Sequence, residues 1–229
     1  MKKNIALLCA LSMGLSPFAV ATTVTWGGVP TARLAVDSKG LTLAPGSLVL
    51  VGTFANEAAV VYSAASTIAQ NVTAITAAGG WKQFSFDPNA IPTPTIPDPG
   101  TTNTMTISGS GKAAGTVVDN NAPQADFFNG KPAYLWIFNA PAIGNAGEMG
   151  IFRATNATVP WLFPTNAGGV GDTQTYSSTA TAAPNIAAIG GAGSTTAGTL
   201  VLVPEPSTFT LFGLAGAGFL SARRRKRNV

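Results

Sequence analysis

Across residues 22–203 the apolar positions gather in short runs broken by glycine and proline, the rhythm of a strand-rich fold. Strand composition marks TVTW (23–26), SLVLVGTF (47–54), WKQFSF (81–86), NTMTIS (103–108), AYLWIFNA (133–140), EMGIFRAT (148–155) and GTLVLV (198–203). WKQFSF alternates, with Trp81 off-phase from Phe84 and Phe86, so the two phenylalanines share a face. AYLWIFNA is apolar on both phases and reads as a central strand covered on two sides. GTLVLV runs into Pro204, which lacks the N–H a ladder uses, so the strand is expected to stop there.

One stretch has a different period. In NEAAVVYSAASTIAQNVTAITAAGG (56–80), Val61, Ala64, Ile68, Val72 and Ile75 recur at steps of three and four. Asn56 suits an N-cap, Glu57 a first turn and Gly79-Gly80 a stop, which predicts one helix near 56–78. Two further short strands are the alternative, because the stretch is rich in β-branched residues. DPNAIPTPTIPDPG (87–100) is a proline-punctuated, extended loop. Residues 165–198 are rich in Gly, Ala, Ser and Thr. They read either as long loops around one or two strands or as a spacer lifting the domain from a membrane. The expected fold is mainly β: a single β-sandwich or jelly-roll-like domain with one helix over residues 22–203.

Both ends have the composition of targeting segments. MKKNIALLCALSMGLSPFAVA (1–21) sets Lys2 and Lys3 before an apolar stretch from Ile5 to Leu15. Ala19 and Ala21 then fill the two small-residue positions a signal peptidase reads, which predicts a signal peptide cleaved after Ala21. A buried N-terminal helix is the competing account. At the other end, residues 208–222 are apolar or small and would span roughly 22 Å as a helix. That is a short transmembrane helix, below the ~20 residues of an ordinary span. Arg223, Arg224, Arg225, Lys226 and Arg227 follow as a basic plug, held on the cytoplasmic side by the positive-inside rule.

With the ends set aside, charge changes meaning. The formal net charge is +4, yet between Thr22 and Val203 six cations face eight acids, a net charge of −2. The basic residues therefore read as topology signals, and nucleic acid is disfavoured as a partner. Cys9, the one cysteine, lies in the leader after Leu8 rather than after the small residue a lipoprotein site needs. The mature body is left without disulfides or thiolate metal sites. Histidine is absent, which removes the commonest general base, a common metal ligand and the usual triads. No cofactor and no catalytic residue is expected.

The order Val203-Pro204-Glu205-Pro206-Ser207, apolar run, arginine cluster resembles the PEP-CTERM sorting signal. VDSKGLTLAPGSLVLVGTF and the aromatic runs from Tyr134 to Pro164 are also similar to stretches of secreted PEP-CTERM proteins of unassigned activity. The main resemblance covers residues 204–229, the sorting tail. It implies export by a signal peptide, a transient stay at the inner membrane and recognition by an exosortase, an integral-membrane, cysteine transpeptidase-like enzyme. It also implies a Gram-negative host that makes exopolysaccharide, with biofilm or extracellular matrix as the destination. Pro204, Glu205 and Pro206 would be the recognition element, as substrate residues of another enzyme. Pro206 favours an extended backbone at Glu205, the form a protease-like cleft binds. A chance Pro-Glu-Pro ahead of an ordinary anchor is the competing account.

Two function classes follow. One is a non-enzymatic surface or matrix protein associated with exopolysaccharide. The other is a polysaccharide-binding or polysaccharide-active domain delivered by the same signal. For the second, Trp26, Trp81, Trp136 and Trp161 with Tyr134 could form a sugar-stacking platform, although core packing is the better account of Trp81 and Trp136. Asp87 and Asp98 could pair as carboxylates. Asp119, Asn120, Asn121 and Asp126 could offer oxygens to calcium, but without EF-hand spacing. Asn71 and Asn156 stand in glycosylation-acceptor triplets.

Overall fold

The computed structural model describes residues 22–27, 32–84, 105–119, 128–155, 160–164, 173–176, 185–196 and 198–205. Thirteen strands and one α-helix are present in them. In chain order these are β1 (Thr22–Trp26), β2 (Leu34–Val36), β3 (Leu48–Phe54), α1 (Ile68–Gly79), β4 (Trp81–Gln83), β5 (Met105–Ile107) and β6 (Ala113–Asp119). There follow β7 (Tyr134–Phe138), β8 (Glu148–Ala154), β9 (Thr173–Tyr176), β10 (Ile186–Ala188), β11 (Ser194–Thr196), β12 (Thr199–Val201) and β13 (Val203–Pro204).

The expected mainly β class with one helix is present, but the layout is not a matched pair of sheets. Ten strands form one curled sheet, ordered β10-β8-β7-β3-β5-β6-β1-β9, with β13 added on β8 and β4 on β3. A three-stranded sheet, β11-β12-β2, accompanies it. The departure has a local cause, which is that central strands share their edges. β3 gives one edge to β7 and divides the other between β5, at Leu48 and Val49, and β4, at Gly52 to Phe54. A strand with two successive neighbours on one edge branches its sheet. No count of hydrophobic runs reveals that.

β7 is buried at all five positions, as its two-phase apolar pattern predicts. Leu135 and Ile137 face one core together with Val49, Val51, Phe152, Trp26, Phe84 and Trp161. Tyr134, Trp136 and Phe138 face a second core with Leu48, Leu50, Trp81, Met149 and Ile151, closed by Ile68 and Ile75 of α1. Trp81 and Phe84 fall on opposite cores, in agreement with their predicted phase. The pairing Trp81–Trp136 is edge-on at 5.2 Å between centroids, and Trp26–Trp161 at 5.3 Å.

The helix is shorter than its apolar period predicts. Residues 57–59 form a single 3-10 turn, and α1 begins only at Ile68. Thr67 is the N-cap: its hydroxyl accepts from Gln70 N–H while Gln70 Oε1 accepts from Thr67 N–H, a complete capping box. Asn71 then pins the preceding loop, accepting from Ser63 N–H and donating to the carbonyls of Ser63 and Ser66. Side chains of this kind compete with helical backbone bonds, so the 60–67 segment is held as a loop. Val61, placed on the apolar face by sequence, is exposed. At the far end Gly80 takes the left-handed conformation expected of a glycine stop.

Within residues 165–198, the described parts belong to the fold. β9 pairs parallel with β1, β10 with β8 and β11 with β12, so those residues are not a free spacer. Three strands lie here where the sequence suggests one or two, and their positions are not readable because serine, threonine and alanine supply no apolar alternation.

Thr67→Ala removes the N-cap acceptor and is expected to lower stability by about 1 kcal/mol. Ile75→Ala opens the fully buried core beneath α1 and is expected to cost ~2–5 kcal/mol. Urea midpoints of the purified protein, at unchanged transition slope, measure both.

Candidate functional site

The chain reaches its C-terminal motif from inside the fold. β12 pairs with β2, and Leu202 is buried, its N–H bonded to Val36 O at 3.0 Å. The next two residues cross to the edge of the large sheet as β13, antiparallel to β8, with Val203 opposite Met149 and Pro204 opposite Glu148. The expectation that the ladder stops before Pro204 is therefore corrected. Glu205 N–H donates to Gly147 O at 2.6 Å, which makes 205 and 147 a hydrogen-bonded pair. By alternation, Pro204 and Glu148 then occupy a non-hydrogen-bonded position, where the missing N–H of proline points away from β8. The register that seats proline without loss also brings Glu205 into the ladder.

Two further bonds hold the same residues. The Tyr62 hydroxyl donates to Pro204 O at 2.7 Å. The Glu205 carboxylate accepts from Ile68 N–H at 2.5 Å, the first residue of α1. The first N–H groups of a helix have no partner within it and carry partial positive charge, so a carboxylate is well matched there. Thr67 and Gln70 satisfy each other nearby.

Tyr62 is placed by the loop that shortened the helix. Its N–H donates to Gly190 O at 2.8 Å, and Gly190 has φ +64°. A Cβ at residue 190 would lie 2.5 Å from Val60 O, so only glycine lets these backbones approach. Burial raises the Tyr62 phenol above its ordinary value, helped by the nearby carboxylates of Glu205 and Glu148. It therefore remains a protonated donor through neutral pH. The start of β8 is equally fixed. Glu148 accepts from Ser38 N–H at 2.7 Å and from Ser38 hydroxyl at 2.8 Å. Asn139 Oδ1 accepts from Gly147 N–H at 2.9 Å and Glu148 N–H at 3.0 Å.

Of the predicted sorting residues, Pro204 and Glu205 are thus brought together with Tyr62, Ile68 and Gly147. Pro206, Arg223, Arg224, Arg225, Lys226 and Arg227 lie outside the described residues, as do Ala19 and Ala21 and the predicted span at 208–222. No helix among the described residues is long and apolar enough to cross a membrane. Sequence reasoning missed Tyr62, Gly147 and the helix N-terminus. Their separation from the motif in the chain leaves no linear signal.

The aromatic platform is not present. Trp26, Trp81, Trp136, Trp161 and Tyr134 are each at most 3 % exposed and belong to the two cores. Asn71 is buried with its amide fully engaged, which removes it as a glycosylation acceptor. Asn156, Asp87, Asp98, Asn120, Asn121 and Asp126 lie outside the described residues. Among the described residues no three His, Cys, Asp or Glu side chains gather as a metal site.

One surface groove, of about 560 Å³, runs beside Glu57, Val60, Arg153, Thr155 and Gly190. Arg153 Nη1 pairs with Glu57 Oε2 at 2.9 Å, and the Tyr134 hydroxyl donates to the same oxygen at 2.8 Å. The Arg153 guanidinium also lies over the Tyr134 ring at 5.8 Å. Burial, then the bond to Glu57, raises the Tyr134 phenol, so it too stays protonated. The groove offers an acceptor and a donor side by side.

No curated protein and no solved structure matches the chain. The family model for the PEP-CTERM protein-sorting motif matches residues 202–226, beginning at the buried Leu202 and running through the docked residues. The chain carries a PEP-CTERM protein-sorting motif, and such a motif implies an exported protein whose membrane-anchored precursor is processed by an exosortase-type enzyme.

Proposed function

We propose that this chain is a non-enzymatic surface or extracellular-matrix protein, delivered to an exopolysaccharide layer by its sorting motif. The observation that carries the reading is the motif at residues 202–226, with its acid framed by prolines and its arginine cluster downstream. Pro204, Glu205 and Pro206 are the residues the sorting enzyme reads. The apolar run at 208–222 holds the precursor at the inner membrane, with Arg223–Arg227 on the cytoplasmic side. Further support comes from the body, where Trp26, Trp81, Trp136, Trp161 and Tyr134 pack the cores rather than a glycan-facing surface.

A second reading rests on the groove at Glu57 and Arg153. A carboxylate and a guanidinium beside each other can accept from and donate to sugar hydroxyls, which suits a polysaccharide-binding domain. Binding of the purified chain to the host's own exopolysaccharide distinguishes the two. A matrix-associated protein without a glycan site binds weakly and keeps that binding in Arg153→Ala. A glycan-binding domain loses about tenfold or more on the same substitution, the scale of a charge-assisted hydrogen bond.

Glu205→Ala is expected to leave export intact and to accumulate full-length precursor at the inner membrane, seen by fractionation. One substitution outside the bilayer hardly alters insertion of the apolar run, so accumulation reports recognition. A variant that fractionates like the parent contradicts a sorting role for Glu205. Neutral residues in place of Arg223, Arg224, Arg225, Lys226 and Arg227 are expected to weaken retention at the inner membrane. Unchanged retention and processing would show that these cations do not stop transfer.

A further inference from the structure

We propose that the folded body holds its own sorting motif closed, and that the sorting enzyme takes the motif only after residues 203–205 leave the edge of β8. The proposal rests on the sorting reading above and adds a conformational gate to it.

The groups engaged in docking are those a strand-binding enzyme needs. Recognition of an extended peptide uses its backbone for affinity and its side chains for specificity. Here the Glu205 N–H is bonded to Gly147, the Pro204 carbonyl to Tyr62, and a Glu205 carboxylate oxygen to Ile68 N–H. Val203 and Pro204 already have a strand partner in β8. An enzyme meeting this surface finds the acid turned into a helix N-terminus.

Chain length gives an independent argument. Only Pro206 and Ser207 separate Glu205 from Thr208, where the apolar run begins. The three Cα–Cα steps from 205 to 208 reach at most about 11 Å, close to the ~10 Å of one packed layer of protein. With the apolar run in the bilayer, a docked motif keeps the body within about one layer of it, which leaves little space for an enzyme cleft to close around the acid. Release of β13 adds three residues to the tether and frees the acid in one movement.

The contacts are also few enough to open. β13 has two residues and lies on an edge, the kind of element that detaches without unfolding the domain. Tyr62 and Ile68, Gly147 and the motif are three stretches far apart in sequence that meet only in the folded body, so the gate exists only after folding. The fraction of open molecules then scales the rate at which the enzyme captures its substrate.

The test follows tail loss from the full-length chain by pulse-chase in a host containing the sorting enzyme. Tyr62→Phe removes the bond to the Pro204 carbonyl and leaves the motif itself intact. Loss of one hydrogen bond shifts the docked-to-released ratio about two- to tenfold, and tail loss is expected to quicken by that factor. In the reciprocal variant, Met149→Cys is combined with Val203→Cys, at positions opposed in the ladder. The body has no other cysteine, so the cross-link is unambiguous. The oxidised form is expected to keep its tail and to lose it on addition of reductant. Protease resistance of the body checks that each variant is folded. Parental or slower processing of folded Tyr62→Phe, or parental processing of the oxidised pair, overturns the gate. A parent that never loses its tail overturns the sorting reading itself and the gate with it.

Discussion

The two-sided burial of β7 is the constraint on which the rest of this structure depends. Tyr134, Trp136 and Phe138 point one way and Leu135 and Ile137 the other, so apolar cover is needed on both faces. On one face it comes from the curled sheet's own strands, from Ala35 and Leu200 of the small sheet and from Phe84, Phe128, Trp161 and Phe163 outside the strands. On the other it comes from α1, through Ile68 and Ile75, and from Val60 in the loop before it. That second cover brings the start of α1 and Tyr62 beside the first residues of β8. The docking place for the C-terminal motif is a consequence of closing this core. It needs no element of its own.

The motif itself is both a linear signal and a strand. As a linear signal it is an acid between two prolines. As a strand it must satisfy a ladder, and proline restricts the choice of register to one that leaves its nitrogen facing outward. The adopted register meets that requirement and delivers Glu205 N–H to Gly147 O. The carboxylate then falls at the N-terminus of α1, where the first backbone N–H groups have no partner within the helix. Fold and signal are coupled through three residues, with no additional domain between them.

Much of this was legible in the sequence where physics is local. Period and composition identify the strands at 48–54, 134–138 and 148–154, the two-faced character of AYLWIFNA and the glycine end of the helix. The sorting motif is legible for the same reason, because it is a contiguous segment. What was not legible depends on meetings across the chain. Asn71 and the Thr67–Gln70 box move the helix start from near 56 to 68, a competition between side-chain and backbone bonds that apolar spacing ignores. Strands such as Ser194–Thr196 carry no alternation because they are half exposed and polar. The ladder position of Pro204 depends on Glu148 and Gly147, more than fifty residues upstream. Tryptophan illustrates the same limit: its amphipathic ring suits a glycan platform or a core equally, and only packing decides for the core.

The sorting motif implies an exported chain whose membrane-anchored precursor is processed by an exosortase-type enzyme. Intact-mass measurement of the parent chain, isolated from a host that contains the sorting enzyme and from the same host lacking it, tests this most directly. The account predicts a product lacking Arg223–Arg227 in the first host and the full tail in the second. Recovery of one and the same mass from both hosts, with the arginine cluster still attached, would contradict it.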